Sequence, residues 1–213
     1  MQRRGALITI YVLLALGAVL LSYMAHLYPE LPGDVALARW VQGLDLPGLG
    51  LAMGAVSQLG GGPVAAVATL GCILALFFAR AIAQGLCLAG GAASGYLLSL
   101  VLKALVDRPR PLPATFGDSS LNSRHVMYAI VFYGLLFYIA STVGSRRLRL
   151  PIQIVLALII LAQGPSRVYL GAHWPSDVAG GYLIGGLLLW AIIAAYRRWG
   201  PPLRRWLARR GGA

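Results

Sequence analysis

The chain has 213 residues, of which 59% are hydrophobic and 11% charged, with a mean hydropathy of +0.76 and a formal net charge of +12. Soluble domains carry about 25% charged residues, so a chain this poor in charge is neither an ordinary soluble globule nor a disordered, solvated one. The length suits one domain, and the apolar excess belongs in lipid.

Charged residues leave six free stretches of at least 17 residues: 5–29, 46–79, 81–102, 125–145, 150–166 and 178–196. A bilayer core about 30 Å thick needs roughly 20 apolar residues of helix. Five stretches fit one span each. The sixth, 46–79, is too long for one span and too short for two. Its Gly60-Gly61-Gly62-Pro63 run predicts a break between a short apolar helix over 48–59 and a full span. The predicted fold is all-α, a six-transmembrane-helix bundle formed by residues 1–213 as a single domain. Its spans lie at about 6–28, 63–80, 81–103, 125–145, 150–166 and 175–197.

In chain order, the first apolar run is longer than a secretion-signal core and lacks a clear cleavage site, so it is read as a membrane helix. His26 sits at its outer end as an interfacial residue. Residues 32–46 then predict a short amphipathic interfacial helix. Asp34 is its N-cap, and Leu37, Trp40, Val41 and Leu44 form an apolar stripe. This helix lies in the outer membrane interface or, alternatively, packs on the outer ends of the spans. Cys72 and Cys87 fall within the second and third spans and carry no metal-site spacing, which suits free core thiols. Gly91 with Gly95, and Gly181 with Gly185, place small residues four apart, the pattern of close helix contacts inside a bundle.

Basic residues set the orientation. With the N-terminus inside, Arg3, Arg4, Arg80, Arg146, Arg147, Arg149 and the tail arginines 197, 198, 204, 205, 209 and 210 are cytoplasmic, twelve of the 18 Lys and Arg. The positive-inside rule therefore puts both termini in the cytoplasm. All six acids, Glu30, Asp34, Asp45, Asp107, Asp118 and Asp177, fall outside. Anionic lipid headgroups account for the basic inner face without nucleic acid.

Five of the six outer cations gather in three segments: Lys103 to Pro111, Asn122-Ser123-Arg124-His125, and Ser166-Arg167 through His173 to Asp177. The topology brings all three to one face. Ionisable groups at apolar helix ends are costly unless they pair or line a wet cavity, so the cluster reads as functional. Lys103, Arg110 and Arg167 suit a multiply charged oxyanion. Ser123 and the amides at the start of the fourth span add neutral donors. His125 and His173 can divide the work of nucleophile and general acid. Asp177, one helical turn from His173, can orient that imidazole, although the two alone could be a structural helix-start pair. Asp107 with Arg108 reads as a local loop pair, and Tyr169 and Trp174 as interfacial anchors.

These segments resemble the three signature blocks of the PAP2 superfamily, the membrane type 2 phosphatidic acid phosphatases. The family pattern is Lys-x6-Arg-Pro, then Pro-Ser-Gly-His, then Ser-Arg-x5-His-x3-Asp. Lys103 to Arg110-Pro111 has the first spacing, and Ser166-Arg167 through His173 to Asp177 matches the third completely. The resemblance implies a metal-free lipid phosphatase without cofactor, acting on a lipid phosphate or diphosphate. His173 would form a phosphohistidine with Asp177 orienting it, and His125 would protonate the leaving oxygen and then activate water. Lys103, Arg110, Ser123 and Arg167 would hold the phosphoryl oxygens. The second block departs from the pattern: Asn122 replaces proline and Arg124 replaces glycine. Arg124 either adds a cation for a second phosphate, favouring a diphosphate such as undecaprenyl diphosphate, or points to headgroups. Phosphatidylglycerol phosphate, phosphatidate and lipid A phosphates are the other candidate substrates. A catalytically silent lipid-phosphate binding or transport protein is the alternative from a different class. Membrane lipids are the expected partners.

Overall fold

The computed structural model describes residues 2–106, 108–111, 123–143 and 146–210; Asp107, Asp118 and Asn122 lie outside them. The helices are α1 (Gln2–Leu27), α2 (Asp34–Gln42), α3 (Leu49–Leu59), α4 (Gly62–Phe78), α5 (Ile82–Leu105), α6 (Arg124–Val143), α7 (Arg146–Tyr169) and α8 (Pro175–Arg210). Five of these, α1, α5, α6, α7 and α8, are each long and apolar enough to cross a membrane, and the pair α3–α4, bent by 46° at the glycine break, passes the same test jointly. In lipid every backbone polar group must be satisfied internally, which is why the apolar runs are helices. The outward surface agrees: Leu13, Leu16, Val19 and Leu20 of α1, Phe78 of α4 and Leu158 and Leu161 of α7 are all exposed. A soluble monomer does not tolerate so large an apolar surface. The molecule is an integral membrane helical bundle.

α6 is the central helix, packed against α5, α7 and α8. Phe132, Leu135, Val131 and Ala129 of α6 meet Leu88 of α5 and Leu156 of α7 in the main core. Tyr128 stacks on Phe132 at 5.1 Å, and Tyr133 meets Phe132 edge-on at 5.0 Å. Both small-residue pairs close on this helix. Gly91 and Gly95 of α5 face Leu135 and Val131, while Gly181 and Gly185 of α8 face Val126, Met127 and Ile130. A Cβ at Gly91 would overlap the Leu135 side chain and one at Gly181 or Gly185 would crowd α6, whereas Gly95 meets Val131 at ordinary contact distance. Cys72 and Cys87 are free thiols, half-buried at the edge of the core.

α2 combines the two placements open to it. It packs on the outer ends of α7 and α8, with Ala38 buried and Gln42 donating to the Val168 carbonyl at 3.0 Å. Leu37 and Trp40 point outward, Trp40 being 66% exposed. Of the apolar stripe, Leu37, Trp40 and Leu44 therefore face outward while Val41 packs against Val126, Val168 and Val178, and the more polar Asp34–Ala38–Gln42 face meets protein. Asp34 is also not the N-cap. Gly33, in a left-handed conformation, occupies that position, and Asp34 is the first helical residue.

The end of α7 has a further device. Pro165 has no N–H to give the Leu161 carbonyl, and such a gap is costly in an apolar surround. The Tyr182 hydroxyl of α8 fills it, lying 2.8 Å from the Ile160 oxygen and 3.1 Å from the Leu161 oxygen while accepting from the Gly164 N–H at 3.0 Å. A Cβ on Gly164 would strike Val178 and Tyr182, so glycine is required for this approach. Tyr182→Phe leaves these backbone groups unpaired. We expect a loss of about 1–3 kcal/mol, read as a lowered thermal unfolding midpoint in detergent.

Candidate active site

Each functional side chain stands at the end of a helix or just beyond it. Lys103 is in the last turn of α5, Arg124 and His125 open α6, Arg167 lies near the end of α7, and Asp177 is in the first turn of α8. The antiparallel packing of neighbouring helices gathers these ends. The charges of Arg167, Arg124, Lys103 and Arg110 all bear on His125, and Lys103 senses Arg110, Arg124, Arg167 and Asp177. All eight residues singled out in the sequence therefore meet at one end of the bundle, since Ser123 precedes Arg124 and His173 adjoins Asp177. So many cations in one place repel each other unless an anion sits among them.

The third block owes its shape to helix-start chemistry. Pro175 takes the first position of α8, where its missing N–H costs nothing. Asp177, two residues on, accepts from the Trp174 N–H through Oδ2 at 2.9 Å, one half of a capping box. The same Oδ2 lies 3.9 Å from His173 Nδ1. That distance suits electrostatic pairing and is longer than a hydrogen bond. His173 itself is buried, as is Arg167, whose Nη1 donates to Ser57 Oγ of α3. Arg110 donates to the Ala172 carbonyl at 3.1 Å, which ties the first block to the residue before His173. Trp174 clamps the same two segments, its indole N–H donating to the Pro109 carbonyl at 3.1 Å.

Ser123 is fully buried at the start of α6, and its Oγ has no partner among the described residues. A buried hydroxyl left unpaired costs about 1–3 kcal/mol, and a phosphoryl oxygen among the surrounding cations would supply the missing acceptor. Asn122, its neighbour in the departing second block, lies outside the described residues. Arg124, the other departure, is exposed and lines the mouth of the adjoining cavity.

Sequence reasoning overlooked several residues that build this site. Arg108 lies beyond α5 and outside any helix, yet it is 1% exposed and bonds Asp34 and Asp177 at 2.7 and 2.5 Å. Burial works against the Asp34 carboxylate, but hydrogen bonds from the side chain and backbone of Ser176, the Leu31 amide and Arg108 more than offset it, holding its pKa below the usual carboxylate range. Gln163 of α7 is buried and donates to the Val56 carbonyl, and the Tyr133 hydroxyl donates to the Leu59 carbonyl at 2.8 Å. These side chains satisfy the last turn of α3 where the backbone leaves its helix. Gly60 and Gly61 then pass so close to Gln163 and His125 that a Cβ at either would overlap those side chains. Gly61 has an extended backbone that any residue can adopt, so space alone demands glycine there. The triple-glycine run was the available signal, and it was read as a break rather than as part of the site.

A cavity of about 600 Å³ opens from His125, Arg124 and Gly60–Gly62 and runs between α4, α5 and α6. Beyond its polar mouth it is walled by Ala65, Leu70, Ile73, Ala92, Gly95 and Val131, with the hydroxyls of Thr69 and Tyr128 part-way down. Such a cavity, charged at one end and apolar along its length, matches a ligand with a phosphorylated head and a hydrocarbon tail.

The membrane helical bundle thus gathers cations and two histidines at one end, with an apolar cavity opening beside His125. The chain belongs to the PAP2 superfamily, whose family model matches residues 84–201, more than half its length. It is 31% identical over 125 residues to phosphatidylglycerophosphatase B of Bacillus subtilis strain 168, a match covering 55% of this chain and 60% of that protein. The crystal structure of a transmembrane PAP2-type phosphatidylglycerolphosphate phosphatase from Bacillus subtilis superposes with a TM-score of 0.78 at 25% identity, over 88% of this chain and 96% of the other. The LpxE structure from Aquifex aeolicus shares the fold, with a TM-score of 0.64 at 23% identity over 78% of this chain and 97% of its own.

Proposed function

We propose that this protein is a lipid phosphatase that removes a terminal phosphate from a membrane lipid through a phosphohistidine, without a metal. The observation that carries the reading is the cavity: His125 and Arg124 line its mouth, the charges of Lys103, Arg110 and Arg167 bear on that His125, and its length is apolar. Lys103, Arg110, Arg167 and Ser123 hold the non-bridging oxygens and stabilise the charge that builds on them as phosphorus is attacked. His173 attacks phosphorus, and the bond to the leaving oxygen breaks as His125, protonated, donates to it. His125, now neutral, takes a proton from water, which attacks the phosphohistidine and releases inorganic phosphate. Asp177 orients His173 and balances the positive charge on the phosphorylated ring.

The tail of the substrate lies between α4 and α5 and need not leave the bilayer. The basic tail and inner loops support cytoplasmic termini in a bacterial inner membrane, and with them a site on the extracytoplasmic face. Arg124 at the cavity mouth favours a substrate with two phosphates, undecaprenyl diphosphate first. The Bacillus relatives favour a second reading, phosphatidylglycerol phosphate, whose two phosphates could also engage Arg124. Phosphate release from undecaprenyl diphosphate, phosphatidylglycerol phosphate and phosphatidate by purified protein with EDTA present ranks these. Arg124→Gly is expected to lower kcat/KM for the two-phosphate lipids about tenfold relative to phosphatidate. An unchanged ratio removes Arg124 from substrate recognition, and no release from any of the three lipids by folded protein leaves the silent binder.

A further inference from the structure

Arg108 joins three parts of the molecule that the family blocks do not connect. Its Nε donates to the Pro29 carbonyl beyond α1 at 3.0 Å. Its Nη1 reaches Ser176 Oγ at 2.8 Å and Asp177 Oδ1 at 2.5 Å, and its Nη2 reaches Asp34 Oδ2 of α2 at 2.7 Å. Asp34 in turn accepts from the Ser176 N–H at 2.9 Å through Oδ1 and from the Ser176 hydroxyl at 2.6 Å through Oδ2. One cation thus lies between two carboxylates, and all three side chains are at most 3% exposed.

Two consequences follow from this arrangement. With Oδ1 of Asp177 bound to Arg108 and Oδ2 to the Trp174 N–H, the carboxylate cannot rotate, and Oδ2 stays on the side of His173. The second consequence concerns charge. Arg108 alone would cancel the negative charge of Asp177 and leave His173 facing a neutral pair. Asp34 restores the balance, so the buried group of three presents a net charge of −1. We propose that Arg108 and Asp34 are positioning residues of the phosphatase reaction, fixing the Asp177 carboxylate and setting the charge it presents to His173. The proposal rests on the reading of His173 as nucleophile. It gives α2 a role in the chemistry although α2 carries none of the family blocks.

The test uses two substitutions of opposite charge effect. Asp34→Asn takes the group from −1 to 0, and Arg108→Gln takes it to −2. A less negative surround favours neutral His173, so the acid limb of kcat against pH should move down by about one pH unit in Asp34→Asn and up by a similar amount in Arg108→Gln. The other charged groups at the site, Lys103 on α5, Arg110, Arg124 and His125 on α6, and Arg167 on α7, are the same in every variant, so displacements relative to wild type isolate the triad. Phosphatidate in detergent micelles serves as the probe. KM should change less than twofold, because the groups that hold phosphate are untouched, while kcat falls at least tenfold in each single variant. The double variant Asp34→Asn/Arg108→Gln restores the net charge and should return the limb to within about 0.3 pH unit of wild type.

Equal losses with no displacement, or displacements of the same sign, overturn the proposal and reduce the triad to a structural clamp. If Arg108→Gln does not fold, Asp34→Asn alone decides: a downward displacement supports the proposal and an unmoved limb overturns it. Absence of His173-dependent phosphate release in the wild-type protein is a different failure, that of the phosphatase reading itself.

Discussion

His173→Ala is expected to abolish phosphate release, lowering kcat by about 10⁴-fold or more, as loss of a covalent nucleophile does elsewhere. The fold should survive, because the capping contact of Asp177 goes to the Trp174 backbone and its ion pair to Arg108, neither of which uses the imidazole. His125→Asn separates the two histidines. It should slow turnover by about 10²–10⁴-fold and, if water activation suffers most, leave a phosphorylated protein that acid-quench or mass measurement detects. That phosphoryl group should be absent from the double variant lacking His173. Full activity in His173→Ala would remove the proposed nucleophile, whatever the cations do.

Gly61→Ala should also be damaging, although glycine carries no chemistry. The added methyl overlaps the His125 imidazole at Nε2, and a displacement of about 1 Å from reactive geometry costs on the order of 10²-fold in rate. Gly71→Ala, in the same helix run with open space around its Cβ position, is the control and should leave kcat within twofold. Because the backbone at Gly61 is extended, alanine brings no conformational strain, and a loss of rate can be assigned to the collision. Equal activity of the two variants would mean that His125 can move aside without consequence, which would count against a fixed general acid at that position.

Much of this molecule is legible in its residue order. Spans declare themselves as charge-free runs because a bilayer removes water from about 30 Å of chain and tolerates few charges there. The break at Gly60-Gly61-Gly62-Pro63 was visible for the same kind of reason, since three glycines and a proline do not extend a helix. His125, His173, Asp177 and the cations could be named from types and spacing, since phosphate chemistry needs a particular set of charges and the third block keeps them at helical intervals.

Arg108 could not be read that way. Next to Asp107 and flanked by proline, it has the local signature of an exposed turn. Only the approach of Asp34, 74 positions earlier, and Asp177, 69 later, makes it a buried pair of contacts. Ser57, Gln163 and Tyr182 are likewise ordinary residues in apolar runs, whose duties appear when α3, α7 and α8 come together. The tail cavity was hidden too, because every face of every helix is apolar and periodicity cannot tell a wall from a lipid-facing side. The sequence by itself determined the membrane setting, the helical class and the chemical inventory, since these depend on local composition and short spacing. The tertiary structure alone decided which side chains support the candidate site and where the apolar cavity opens, because both depend on contacts between residues whose separation along the chain carries no signal.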